Sequence, residues 1–228
     1  MTLDDKVDQT FAQLLLISEE FKGKTAFSTS LGEEDQVLTW FIAKHNLNIH
    51  IFTLDTGRLF NESYELIRRT EKKFEVSIDI RFPDSSRVQN MVKDQGINGF
   101  YDSLEARKRC CNVRKIQPLK STLDEFDAWI TGLRAEQSDS RSNVPFRSND
   151  EFFAVEKFNP LHNWSLSEIQ QLIERENIPT NPLHKKGYVS IGCAPCTRAI
   201  EKGEHPRTGR WWWESSKKEC GLHATQLK

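Results

Sequence analysis

A chain of 228 residues with 37% hydrophobic content is long enough to bury a sizeable core and fits one α/β domain with an extra segment. Its 32 basic and 33 acidic residues leave a formal charge of -1, which excludes wholesale electrostatic binding to nucleic acid or an anionic membrane and makes any anion site a local one. No run approaches the roughly 18 apolar residues of a membrane span, and residues 1–20 lack a basic stretch followed by an apolar one, so a cytoplasmic protein with no nucleic-acid or membrane partner is expected.

Val7, Phe11, Leu14, Leu15 and Ser18 recur at helical spacing before Gly23, which predicts an amphipathic first helix. Short apolar runs then alternate with helical patterns: strands are expected at residues 25–27, 49–52 and 76–80, with helices over residues 37–43 and 61–73. That rhythm predicts βαβ units and a parallel sheet. Residues 128–130 and 152–155 read as two further strands, and the polar stretch between them, residues 134–150, reads as a loop and a ligand wall. From Asn181 onward Pro, Gly and Lys accumulate. Residues 203–228 are expected to form a mobile arm after a domain spanning residues 1–202, with Trp211, Trp212 and Trp213 anchoring it.

Ligands of open α/β sheets bind beyond the carboxyl ends of strands, and three loops fall there. They hold Ser28, Ser30 and Gly32 ahead of Glu33, Glu34 and Asp35; Asp55 to Gly57 with Arg58; and Thr131 to Leu133 with Arg134. The first offers hydroxyls and a helix N-terminus to a phosphate, although a plain helix-capping turn has the same sequence. Neither a Walker A sequence nor GxGxxG occurs, so P-loop kinase and dinucleotide chemistry lose support.

The five cysteines do not form an extracellular disulfide pattern, because Cys110 and Cys111 are adjacent. Together with the CxxC of Cys193 and Cys196 they offer four thiolates, which suit zinc or an iron-sulfur cluster. Zinc usually takes its pairs from C-x(2-4)-C knuckles, so the adjacent pair favours a cluster and leaves zinc as the alternative. Arg107, Lys108, Arg109, Arg114 and Lys115 flank the pair and would offset an anionic centre. A zinc nucleobase deaminase is excluded by the absence of HxE and by Gly192 preceding Cys193.

Cys220 sits near Lys217 and Lys218, which favour its thiolate, and Arg207 and Arg210 bring anion-binding charge to the same tail. His223 follows three residues later.

The motifs STSLGEED (28–35), LDTGR (54–58), KRCCNVRKIQPL (108–119), TGLRAEQS (131–138), GCAPCTRA (192–199) and ECGLH (219–223) resemble those of the thioredoxin-dependent adenylyl-sulfate and phosphoadenylyl-sulfate reductases. The likeness spans nearly the whole chain and implies a Rossmann-like parallel sheet of the adenine nucleotide alpha-hydrolase type with a flexible C-terminal arm. The paired CC and CxxC are similar to the branch acting on adenylyl sulfate (APS). The resemblance therefore implies reduction of APS to sulfite and AMP in sulfate assimilation and cysteine biosynthesis, with Cys110, Cys111, Cys193 and Cys196 holding a 4Fe-4S cluster and Cys220 as nucleophile. It further implies Lys115, Arg207 and Arg210 on the sulfate and phosphate, and residues 28–35 and 55–58 facing the nucleotide.

If the cluster occupies four cysteines, the chain has no second thiol to release sulfite from Cys220. Thioredoxin, or glutaredoxin, is then the expected donor. Phosphoadenylyl sulfate (PAPS), alone or beside APS, is the nearest alternative substrate, and a zinc-stabilised nucleotide-binding or RNA-modifying module is the remoter alternative. A homo-oligomer is compatible with the sequence.

Overall fold

The alternating pattern folds as a six-stranded sheet of order β3-β2-β1-β4-β6-β5; the computed structural model describes residues 1–138, 141–201 and 203–214. The strands are β1 (Thr25–Ser28), β2 (His50–Leu54), β3 (Asp79–Arg81), β4 (Ala128–Ile130), β5 (Arg147–Asp150) and β6 (Val155–Phe158). All neighbours pair in parallel except β5, which runs antiparallel to β6 along one edge.

The central parallel strands β1, β2 and β4 are buried on both faces, as crossover helices require. Phe27, Ile51, Ala128 and Ile130 point into one core with helices α1 (Leu3–Glu20), α2 (Glu33–Lys44) and α7 (Leu166–Glu176). Their neighbours Ala26, Phe52 and Trp129 point the other way, against Leu119 and Leu123 of α6 (Gln117–Leu123). Each such fully buried large side chain contributes roughly 1.5–3 kcal/mol. Local signals set the helix starts: Thr2 and Asp5 form a capping box on α1, and Ser165 and Glu168 form one on α7.

Three sequence expectations about strands need correction. Residues 152–154 are not strand: they lie in a turn where Ala154 has φ of 55° and Phe152 is 49% exposed, and the strand begins at Val155. Phe153 is buried from that turn, edge-on to Trp129 at 5.3 Å, so an apolar run here marks a turn that reaches into the core. The polar stretch is also not all loop, since residues 147–150 form β5. An edge strand with one partner tolerates polar side chains, which hides it from an apolar pattern. The third strand is shifted as well, starting at Asp79 after Glu75 ends α3 (Asn61–Phe74) in the left-handed region.

The chain leaves β1 toward β2 on one side and takes up β4 on the other, so the sheet's switch point lies between β1 and β4. The loops after those strands open a crevice there, as in other doubly wound sheets. No helix among the described residues is long and apolar enough to cross a membrane.

Candidate functional site

A cavity of about 510 Å³ occupies this crevice and is lined by Ser28, Ser30, Gly32 and Arg134 from the sheet loops. Lys115, Arg207 and Arg210 close it from the side. The first loop is held open by its own bonds. Thr29 N–H donates to Phe52 O at 2.8 Å, Leu31 takes a left-handed φ of 65°, and Ser30 donates from both its backbone N–H and its hydroxyl to Asp35, each at 2.6 Å.

Asp35 is buried, and burial pushes its carboxyl up to about 6, against the lowering effect of the two Ser30 hydrogen bonds. Gly132 lies so close that a Cβ there would sit 2.1 Å from Asp35 Oδ1, so only glycine lets the β4 loop meet the β1 loop. Below them Trp129 donates its indole N–H to Ser28 Oγ at 2.8 Å, with Lys157 Nζ 4.4 Å from its ring centroid.

Arg134 lines the pocket, but its guanidinium is bonded to the protein. It pairs with Glu34 at 2.7 Å and donates to Trp164 O at 3.3 Å. Asp55 and Arg58 lie outside the crevice altogether. Asp55 accepts from Gly57 N–H at 2.7 Å and from the Tyr64 hydroxyl at 3.0 Å, while Arg58 reaches Asn98 Oδ1 at 3.1 Å and lines a different cavity. From that loop it is Thr56 that faces the crevice.

That second cavity gathers Cys110, Cys111, Cys193 and Cys196 together with Arg107, Arg114, Lys115 and Arg210. Cys110 and Cys111 end helix α5 (Leu104–Cys111), which passes into a π-helical turn, Asn112–Ile116, carrying Arg114 and Lys115. Such turns reorient side chains and recur at functional sites. Cys193 and Cys196 sit in a tight turn stitched in place by Ala194 N–H to Arg58 O at 2.8 Å and Trp211 N–H to Cys196 O at 3.1 Å.

The thiols differ in character. Burial pushes the Cys196 thiol up to about 12, with Cys193 and Cys111 adding to it, and burial raises Cys110. Burial also works against the Cys193 thiolate, yet Lys115, a 3.2 Å contact with Thr56 Oγ1, Arg210 and Arg114 outweigh it and lower that thiol.

Lys115 and Arg210 line both cavities. Arg210 is buried with its guanidinium 4.8 Å from the Trp211 ring, its Nε has no hydrogen-bond partner, and its Nη1 makes only 3.4 Å contacts with Ser190 and Ile191. A guanidinium so buried and under-bonded is poised for an anion. Gly192 makes room for it, since a Cβ there would lie 2.3 Å from Arg210 Nη2.

Among the described residues no group of three or more His, Cys, Asp or Glu is arranged to hold a single metal ion. Four thiols nevertheless line one cation-ringed cavity, a donor set that suits a metal centre. Cys220 and His223, with Lys217 and Lys218, lie outside the described residues. Residues 203–214, the first part of the expected arm, pack on the domain: Arg210 pairs with Thr197, and Trp211 is 1% exposed beside Phe100, Cys193 and Cys196. Thr56, Gln137, Arg141 and His184 also stand on the crevice wall. Thr56 falls in a loop expected to face the nucleotide, and Gln137 and Arg141 fall in the expected ligand wall, though none was singled out; His184 carried no signal.

Residues 24–199 match the model of the phosphoadenosine phosphosulfate reductase domain. The chain is 47% identical over 225 residues to an adenosine 5'-phosphosulfate reductase of Rhizobium meliloti, covering 98% of this chain and 85% of the relative. It is 52% identical over 202 residues to one of Allochromatium vinosum, covering 88% and 79%. Among solved structures, a phosphoadenylyl-sulfate reductase of Candida auris aligns with a TM-score of 0.66 at 22% identity, covering 78% of this chain and 83% of that one. An FMN adenylyltransferase of Candida glabrata, at 16% identity, aligns with 0.60 over 90% and 67%. The two structural matches establish the fold, an α/β fold with a mostly parallel sheet, and the sequence matches go further: the chain belongs to the phosphoadenosine phosphosulfate reductase domain family.

Proposed function

We propose that the chain reduces adenylyl sulfate to sulfite and AMP in sulfate assimilation, with Cys220 as nucleophile and thioredoxin as the electron donor. The observation that carries the reading is the pair of cations, Lys115 and Arg210, shared between a nucleotide-sized crevice and a cavity of four cysteines. The relatives named above, called adenosine 5'-phosphosulfate reductases, favour APS over PAPS.

The crevice receives AMP's half of the substrate, with the Ser28 to Gly32 loop and the N-terminus of α2 toward the phosphate. The sulfuryl group then lies toward Lys115, Arg207 and Arg210, whose charge offsets repulsion between an attacking thiolate and an anionic ester. Cys220 Sγ attacks the sulfur, the S–O bond to AMP breaks, and AMP leaves with its phosphate oxygen carrying the electron pair. Cys220 is left as an S-sulfo adduct.

One thioredoxin thiolate next attacks Cys220 Sγ and expels sulfite, and the second thioredoxin thiol resolves the mixed disulfide, restoring the Cys220 thiolate. One dithiol is oxidised for each APS reduced. Cys110, Cys111, Cys193 and Cys196 would hold a 4Fe-4S cluster, which would supply fixed charge and structure.

Mixing the holoenzyme with APS in the absence of reductant, followed by peptide mass spectrometry, tests the mechanism. A sulfonate-sized adduct on the peptide containing Cys220 is expected, and Cys220→Ser should lose it while keeping nucleotide affinity and cluster absorbance. An adduct elsewhere, or turnover by the Ser variant, refutes the assignment.

A further inference from the structure

The tail that carries the nucleophile has to start from a fixed place, and one contact among the described residues fixes it. Arg107 Nε and Nη2 donate to the two carboxylate oxygens of Glu214 at 2.8 and 2.9 Å, and the two side chains are only 4% and 7% exposed. The Arg107 guanidinium also stacks 4.5 Å from the Trp211 ring, and Glu214 N–H donates to Trp211 O at 2.8 Å.

Burying two charges is costly, and it is tolerated here because the geometry is bidentate and the guanidinium is covered on one face by an indole. Surface ion pairs, by contrast, hold nothing firmly. Arg107 stands on α5 one turn before Cys111 and lines the cysteine cavity with it. Glu214 precedes Cys220 by six positions in the sequence, which limits the Cys220 Cα to within about 22 Å of the Glu214 Cα.

We propose that the buried Arg107–Glu214 pair is a tether that fixes the root of the catalytic tail to the cysteine-bearing helix, which makes Arg107 and Glu214 positioning residues for the attack by Cys220. The inference rests on the reading of Cys220 as nucleophile. It would give the cysteine centre a use that needs no electron transfer: Cys110 and Cys111, which would hold the cluster, end α5, α5 presents Arg107, and Arg107 sets where the tail begins. Tail delivery is thereby coupled to an assembled centre.

The test uses anaerobically prepared holoenzyme carrying Glu214→Gln, which keeps the shape and removes the charge. At saturating APS, single-turnover formation of the Cys220 adduct should slow by about tenfold or more, because sub-ångström and ångström misplacements act on the attack and not on binding. The Kd for AMP should stay within about twofold and the cluster absorbance should be unchanged, so the loss falls on kcat and not on KM. Backbone amides of residues 211–214 should exchange faster, and Glu214→Asp should recover part of the rate.

Glu214→Ala, which removes the carboxylate and leaves Arg107 beside Cys111 in place, should show the same split and serves if the Gln variant folds poorly. Unchanged adduct formation in both variants overturns the tether while leaving the proposed reaction standing. Parallel loss of nucleotide binding, cluster and rate makes the pair merely structural and also overturns it. A wild-type enzyme that forms no adduct on Cys220 removes the proposed mechanism and the tether together.

Discussion

Asp35 illustrates how one buried carboxyl can shape an anion site without touching the anion. It takes both hydrogen bonds of Ser30, and Gly132 closes over it, so the β1 loop keeps the open form that faces the crevice. Burial raises its carboxyl from 3.8 to about 6. The folded chain therefore holds a proton that the unfolded chain has already released, and folding gains most from this group below pH 4. That gain shrinks as the pH rises from about 4 to 6 and is absent above, an effect of about 3 kcal/mol over the whole window. The difference in urea unfolding free energy between wild type and Asp35→Asn should thus fall across that window and level off beyond it. A difference that stays flat from pH 4 to 7 would contradict the buried placement of Asp35.

At the scale of elements, the β5–β6 hairpin closes the sheet with a buried charge pair. Lys157 Nζ of β6 lies 3.4 Å from Asp150 Oδ2 of β5, both side chains are essentially unexposed, and burial lowers the ammonium to about 8. Above the pair stands Trp129, whose indole N–H holds Ser28 at the crevice. Removing the Asp150 carboxylate weakens the compensation of a buried ammonium, so Asp150→Ala should cost up to about 3–5 kcal/mol and loosen the crevice floor, whereas Lys157→Met with Asp150→Asn should come close to wild-type stability. Thermal unfolding of the single and double variants decides it, and equal losses in all of them would mean the pair is not what holds the hairpin.

This hairpin also shows the limits of reading elements from sequence. The central parallel strands β1, β2 and β4 were legible because their side chains are buried on both faces and they alternate with amphipathic helices. The edge strand was not, since its polar side chains have no pattern that distinguishes it from a loop, and Phe152 and Phe153 misplaced its partner because they line a turn. The site behaved similarly. The glycine, serines and cysteines stand in compact motifs whose residue types announce their chemistry. By contrast, the diversion of Arg58 to Asn98 and of Arg134 to Glu34 depends on partners 40 and 100 residues away, which no local motif encodes.

At the scale of the molecule, three apolar clusters among the described residues carry different duties. Two cover the faces of the sheet, and the third, Phe100, Cys193, Cys196 and Trp211, is small and built on the cysteine cavity itself. A cluster of so few side chains gains little from burial alone, so a bound cofactor that ties α5 to the Cys193 turn would supply much of its order. The sheet needs no such help, because its strands and helices bury their own faces. Stripping the iron with an oxidant and chelator should therefore leave the β1, β2 and β4 amides protected from hydrogen exchange while residues 99–116 and 190–214 lose protection. Nucleotide affinity should weaken in step, because Lys115 and Arg210 sit at the boundary of the two regions. Uniform loss of protection across the sheet would show that the cysteine centre supports the whole fold, and no change in residues 99–116 would show that the third cluster stands without it.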